Sequence, residues 1–286
     1  MNPKFFALLQ YLIPQHALSR AAGWLAETSI SWIKDPFTRW FANRYQVNMD
    51  EALEQDPCAY KSFNAFFTRA LKPGMRPIDD SPNSIVCPAD GAISQLGNIE
   101  MGRVFQAKGQ DYSLTELLGG NADHATPFQG GKFATVYLSP KDYHRVHMPL
   151  AGKLTRMVHV PGDLFSVNEA TADNVPRLFA RNERVVCFFE TDAGPMALVL
   201  VGAMIVASIE TVWAGQVTPY KRQIVSTDYL DQKPVFLDKG DEMGRFKLGS
   251  TAIVVFGKDV IEWDAQYAAG TPTVMGEKIG TLVKSA

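Results

Sequence analysis

The apolar positions of this chain change texture near residue 86. Upstream they fall in short stretches whose spacing suits amphipathic helices, interrupted at Pro14, at Pro36 and near Asp50. A further short helix is predicted from Ser62, with Phe63, Phe66 and Phe67 on its buried side. The turn-rich run Lys72-Pro73-Gly74-Met75-Arg76-Pro77 ends it. Downstream of Val86 the pattern becomes short β-type runs separated by turn signals. Strands are expected over 91–93, 133–138, 154–160, 184–189, 197–201, 204–209 and 252–256. One helix stands among them: Ser113-Leu114-Thr115-Glu116 is a capping box leading into Leu117-Leu118, and Gly119-Gly120 stops it. A second short helix is expected over 175–180. Strands and helices do not alternate as a parallel sheet requires. The expected fold class is therefore α+β, a mostly antiparallel β core with an N-terminal layer of short amphipathic helices. The natural division is 1–48 for the helices and 49–286 for the main domain.

Composition narrows the class. The 286 residues are 46% apolar and 20% charged, enough for a sizeable core and too apolar for disorder. A net charge of −2 gives no electrostatic case for nucleic acid. Cys58, Cys87 and Cys187 are odd in number, widely spaced and without a CxxC pair, which suits reduced thiols in a cytosolic setting.

The charge is uneven. Residues 1–45 carry a net charge of +3, from Lys4, Arg20, Lys34, Arg39 and Arg44 against Glu27 and Asp35, and three of the chain's five tryptophans. Basic residues mixed with Trp and Phe on short helices are what a membrane-surface anchor needs. A helical layer packed on the core is the plainer reading of the same residues. A signal peptide is disfavoured because Gln10, Pro14, Gln15 and His16 interrupt the apolar stretch. The longest apolar run, 195–209, is shorter than the roughly 20 residues a spanning helix needs. The expectation is a protein that lies on a membrane without crossing it.

Four short segments could carry chemistry. Gly249-Ser250 precedes the strand at 252–256. Glycine admits close approach to its carbonyl, and the next residue's hydroxyl can attack that carbonyl through a five-membered ring. The same pair also marks ordinary turns. Pro88-Ala89-Asp90-Gly91 reads either as a tight turn or as a carboxylate placed to orient a histidine. In Asp142-Tyr143-His144-Arg145-Val146-His147-Met148-Pro149 the proline favours extended backbone, so His144 and His147 point to opposite faces and do different jobs. No further ligand stands at metal spacing, and no metal site is expected. Pro161-Gly162-Asp163-Leu164-Phe165-Ser166-Val167-Asn168 is, by itself, a turn followed by a cap.

Taken in order, these segments resemble the phosphatidylserine decarboxylase family, in its bacterial membrane-associated form. The resemblance also includes Leu-Phe-Ala-Arg-Asn-Glu-Arg at 178–184, Val-Gly-Ala at 201–203, Ile-Glu-Thr-Val-Trp at 209–213 and Gly-Arg-Phe-Lys-Leu-Gly-Ser-Thr at 244–251. It runs from about Tyr60 to Phe256. It implies a zymogen that cuts itself between Gly249 and Ser250, giving chains 1–249 and 250–286 that stay associated. Ser250 then becomes a pyruvoyl group, the only cofactor implied, which forms a Schiff base with phosphatidylserine and accepts electrons as CO2 leaves. Asp90, His147 and Ser250 would form the cleavage triad and His144 would protonate the carbanion, with His147 as the alternative. Ser166 and Asn168 would contact the headgroup. The resemblance implies a peripheral enzyme on the cytoplasmic side of the cell membrane and leaves a homodimer open. Two rivals are a serine hydrolase using Asp90, His147 and Ser250, and a non-enzymatic membrane-surface adaptor.

Overall fold

Seven consecutive buried residues, Ser250–Phe256, form the strand on which the fold is centred. The computed structural model describes residues 2–107, 109–204, 208–218, 222–230, 234–247 and 250–283. The central strand lies between Gly194–Val201 on one side and Lys132–Leu138 on the other. The main sheet continues outward through Arg184–Thr191, Gly152–Val160 and Val225–Asp228 in one direction. In the other it runs through Gly91–Asn98 to Pro272–Thr273, and every one of these neighbouring pairs is antiparallel. The α+β class read from the sequence is the one observed.

The alternation of side chains explains why this strand has no polar face. Ala252, Val254 and Phe256 enter one core, and Ile253 and Val255 enter the other. Each large apolar side chain so buried contributes about 1.5–3 kcal/mol. The first face is closed by a smaller sheet of Gly215–Gln216, Ser208–Thr211, Glu242–Lys247 and Arg145–His147, which supplies Ile209, Phe246 and Val146. The second is covered by short helices carrying Leu117, Ala172 and Phe179. Ser113 caps its helix by accepting the Glu116 amide N–H, as the capping box predicts. The helix expected over 175–180 falls instead at Leu178–Arg181, with another at Glu169–Ala172.

Three N-terminal helices precede this core: α1 (Pro3–Gln10), α2 (Gln15–Ala26) and α3 (Ser31–Tyr45). Pro36 does not break α3, contrary to the expectation from sequence. A proline there forfeits one backbone hydrogen bond, and packing beyond it outweighs the loss. Phe41 meets Phe63, Phe66 and Phe67 at ring-centroid distances of 4.9, 6.2 and 5.9 Å. Those three rings belong to α4 (Phe63–Phe67), which Ser62 caps through the Ala65 amide. Among the described residues no helix is long and apolar enough to cross a membrane. The tail beyond Gly257, which carries no motif, still contributes Lys278–Leu282, a strand paired with Ser84–Val86.

Candidate active site

Gly91 opens the strand Gly91–Asn98 at φ 152°, where a Cβ would lie 2.1 Å from the Tyr137 carbonyl oxygen. Only glycine allows this approach, which brings Asp90 beside the end of Lys132–Leu138. The Asp90 carboxylate is fully engaged there. It accepts from Arg76 Nε at 2.9 and 3.0 Å, from Arg76 Nη2 at 2.6 Å and from the Met275 amide at 2.9 Å. Glu51 accepts from the same guanidinium at 2.8 Å. Burial opposes the Arg76 charge, but the bonds and charges of Asp90 and Glu51 outweigh it and hold its pKa above the ordinary value.

Leu138 stands opposite Ser250 in the sheet, and the chain leaves that point in a loop that returns as Arg145–His147. The His144 carbonyl accepts the Phe246 amide at 3.1 Å, four positions before Ser250. Two backbone pairings therefore bring the histidine segment and the serine to the same end of the sheet. His144 is fully buried, with the Phe67 ring 3.9 Å from its own. Its Nδ1 lies 2.8 Å from the Asp142 carbonyl oxygen. A carbonyl can only accept, so Nδ1 carries the proton and Nε2 holds a bare lone pair. That Nε2 is buried without a partner. Burial lowers the His144 pKa to about 3 against the pull of the Asp142 carbonyl, and the Arg69 charge lowers it further.

His147 is different. Its Nδ1 donates to the Gly240 carbonyl at 2.8 Å, and its Nε2 accepts from the Tyr143 hydroxyl at 3.1 Å. Burial lowers its pKa, while Asp90 and Glu242 favour its charged form through space. Burial also pushes the Tyr143 phenol up to about 12, so it remains a proton donor. The direct Asp90–His147 bond expected of a triad is not the arrangement observed. The Gly240 carbonyl occupies the nitrogen Asp90 was expected to hold, and Arg76 occupies the carboxylate. The two histidines do present different chemistry: one has an open nitrogen and the other is bonded at both.

Ser250 begins the central strand with its Oγ buried and, among the described residues, unpartnered. Gly249 lies outside the described residues. The strand that leads toward it ends at Lys247, whose ammonium binds Glu210 at 2.7 Å and Glu27, the C-cap of α2, at 3.1 Å. Among the described residues no three His, Cys, Asp or Glu side chains group as a metal site would need.

Residues 161–168 are held by the N-terminal helices. Gln10 accepts the Ser166 amide N–H at 2.9 Å and donates to the Ser166 hydroxyl at 3.1 Å. Gln15 accepts the Leu164 amide N–H at 2.7 Å, and its own amide donates to the Gln10 carbonyl at 2.9 Å. Asn168 caps the following helix through the Thr171 amide. Ser166 and Asn168, expected to contact the headgroup, are both half-buried: the Ser166 hydroxyl is engaged by Gln10, and the Asn168 side-chain oxygen is taken up by the helix cap. None of Arg69, Arg76, Phe67, Gln10 and Gln15 was given a part in the site from sequence. Only the need of a buried Asp90 for a counter-charge could have pointed to one of them.

Comparison with known proteins follows this geometry. The family model described as phosphatidylserine decarboxylase matches residues 63–281, and one described as PSD matches residues 5–46. A phosphatidylserine decarboxylase proenzyme of Pseudomonas putida is 62% identical over 287 residues, covering 100% of both chains. Proenzymes of the same name from Pseudomonas fluorescens and Pseudomonas entomophila are each 64% identical, with 98% of both chains covered.

Proposed function

Because this chain belongs to the phosphatidylserine decarboxylase family, we propose that it is made as a proenzyme that cuts itself between Gly249 and Ser250. The processed form then converts phosphatidylserine to phosphatidylethanolamine. One observation carries the reading. Ser250 Oγ is buried with no partner, at the same sheet end as the bare Nε2 of His144. An unpaired buried hydroxyl costs about 1–3 kcal/mol. Its retention at a position preceded by glycine fits a nucleophile consumed in making a pyruvoyl group.

In the cleavage, Ser250 Oγ attacks the Gly249 carbonyl carbon, and the peptide C–N bond breaks as the ester C–O bond forms. The hydroxyl proton passes toward His147. Tyr143, whose hydroxyl already donates to His147 Nε2, hands over its own proton as it takes up the serine's, and His147 passes a proton on to the departing Ser250 nitrogen. Asp90 and Glu242 support the charge on His147 through space. Loss of the Ser250 Cα proton then expels the Gly249 carboxylate from Cβ. Tautomerisation and addition of water release ammonia, leaving a ketone at residue 250.

Once formed, the pyruvoyl carbonyl supplies the anchor for the substrate amine and the sink for the electron pair left when CO2 departs. His144, neutral with Nε2 free, takes the proton shed as the amine binds and returns one to the carbon that lost CO2. Solvent replaces the one proton consumed per turnover. Residues 1–48 serve as the membrane-associating part and 49–286 as the decarboxylase domain. Exposed Phe5, Leu8, Leu12, Trp24, Trp32 and Trp40 support a peripheral seat on the cytoplasmic face, where the diacyl substrate lies.

Denaturing mass spectrometry tests the proposal. The expected result is a fragment 250–286 without a free amino group, absent from Ser250→Ala. A single intact mass in the wild-type protein overturns it.

A further inference from the structure

Arg69 is a buried charge with little compensation among the described residues. The residue is 4% exposed, yet it forms no ion pair among the described residues. Among the described residues its Nε and Nη1 have no hydrogen-bond partner, and its Nη2 donates to the carbonyls of Lys141 at 3.0 Å and Asp142 at 3.4 Å. A desolvated guanidinium ordinarily demands a carboxylate. Tyr60, Asp90, Asp142 and Glu51 act on it only through space, and burial lowers its pKa. The ring of Phe66 lies 5.8 Å from its central carbon, a modest compensation.

The carbonyl of Asp142 is the one that fixes His144, since it also accepts the His144 Nδ1–H. We propose that Arg69 is a positioning residue for turnover: gripping the carbonyls of Lys141 and Asp142, it sets the loop that keeps the His144 proton on Nδ1 and Nε2 bare. The inference rests on the role given to His144 above. The groups around the imidazole leave Arg69 as the charge that acts on it. The Phe67 ring on one side is apolar, the Phe246 amide meets only the backbone, and the Asp142 carboxylate is turned to the Ser139 amide at 2.7 Å. The unneutralised cation therefore both orients the loop and opposes protonation of His144. An imidazole kept neutral holds its Nε2 lone pair open, and any proton it takes up there is given away readily.

The experiment uses full-length protein labelled with 15N at its five histidines, with His144→Gln assigning the resonance of residue 144. In wild type, His144 is expected to show a protonated Nδ1 and a bare Nε2 down to pH 5. In Arg69→Met its charged form or the other tautomer appears at higher pH. Turnover is expected to fall about tenfold or more with KM little changed. Arg69→Lys, which keeps the charge, retains the wild-type resonance. An unchanged His144 titration and turnover in Arg69→Met overturns the proposal. If Arg69→Met does not fold, the wild-type spectrum decides, since a proton on Nε2 there also overturns it. Absence of the 250–286 fragment in wild type would instead defeat the reading of the active site, while the tautomer measurement still judges Arg69.

Discussion

Replacing Gln15 by leucine should loosen residues 162–166 without unfolding the sheet. The Gln15 side chain is 9% exposed and its Oε1 is the acceptor for the Leu164 amide N–H at 2.7 Å. Leucine fills the space but leaves that amide, on a residue 3% exposed, with no acceptor. An orphaned buried donor costs about 1–3 kcal/mol, which in a local opening equilibrium is a factor of roughly 5–150. The Gln15 amide bond to the Gln10 carbonyl is lost too, so the effect should spread to the Ser166 amide held by Gln10. Amide hydrogen exchange on the full-length protein reads this directly. Leu164 and Ser166 are expected to exchange at least about fivefold faster, while amides of 250–256 keep their rates. A surface control, Leu12→Ser, at a residue 80% exposed, should change neither. Unaltered exchange at Leu164 in Gln15→Leu would refute the claim that α2 holds this segment through its glutamine.

Further outcomes are expected. His144 has a folded pKa of about 3 against an ordinary 6.5, so the unfolded chain binds the extra proton between those values. Stability from this group is whole above pH 6.5 and is lost as pH falls toward 3. At pH 5 the loss is about 2 kcal/mol, and Tm measured at pH 7.5 and 5 should differ less in His144→Gln than in wild type. Gly91→Ala must place a methyl group 2.1 Å from the Tyr137 oxygen at positive φ, and roughly 3 kcal/mol or more of urea stability should disappear. Gly97→Ala, whose Cβ would meet only a Phe133 ring carbon at 3.9 Å, is the matched control expected to cost far less. Removing residues 1–45 should abolish sedimentation with anionic vesicles, and undiminished binding would assign membrane contact elsewhere.

The sheet was legible because its strands are bounded by turns and made of residues that fit a pleated, buried surface. The run at 252–256 shows the limit of that reading: it predicts burial on both faces but not that Thr251 and Ser250 extend the strand, since neither is apolar. Pro36 misled because a local propensity of a few kcal/mol was weighed without the aromatic packing around Phe41. At the site, residue identities were visible and pairings were not. Asp90 and His147 suggest a triad by type, but type does not tell which acceptor reaches Nδ1 first. The Gly240 carbonyl comes from a segment with no motif, and Arg76 from a turn-rich run that reads only as a link. Gln10, which holds the Ser166 amide and hydroxyl, lies 156 positions away, beyond any local pattern.

The place of Ser250–Phe256 between two other strands, and not at an edge, has a consequence for the history of the molecule. If the chain is cut as proposed, the strand has to be woven in while residues 249 and 250 are still joined, because threading a free segment of that kind into a closed interior would require opening the sheet. A fragment made by that cut would be held on both sides and expose no new edge, so the proposed processing would leave the shape intact. Denaturation after the cut is another matter. Refolding then becomes an encounter between two molecules, one of them carrying an apolar run prone to aggregation, so lifetime is governed by the unfolding rate. The fold would show hysteresis: reversible before processing, effectively one-way afterwards, with heat-scan midpoints that depend on scan rate only in the processed form.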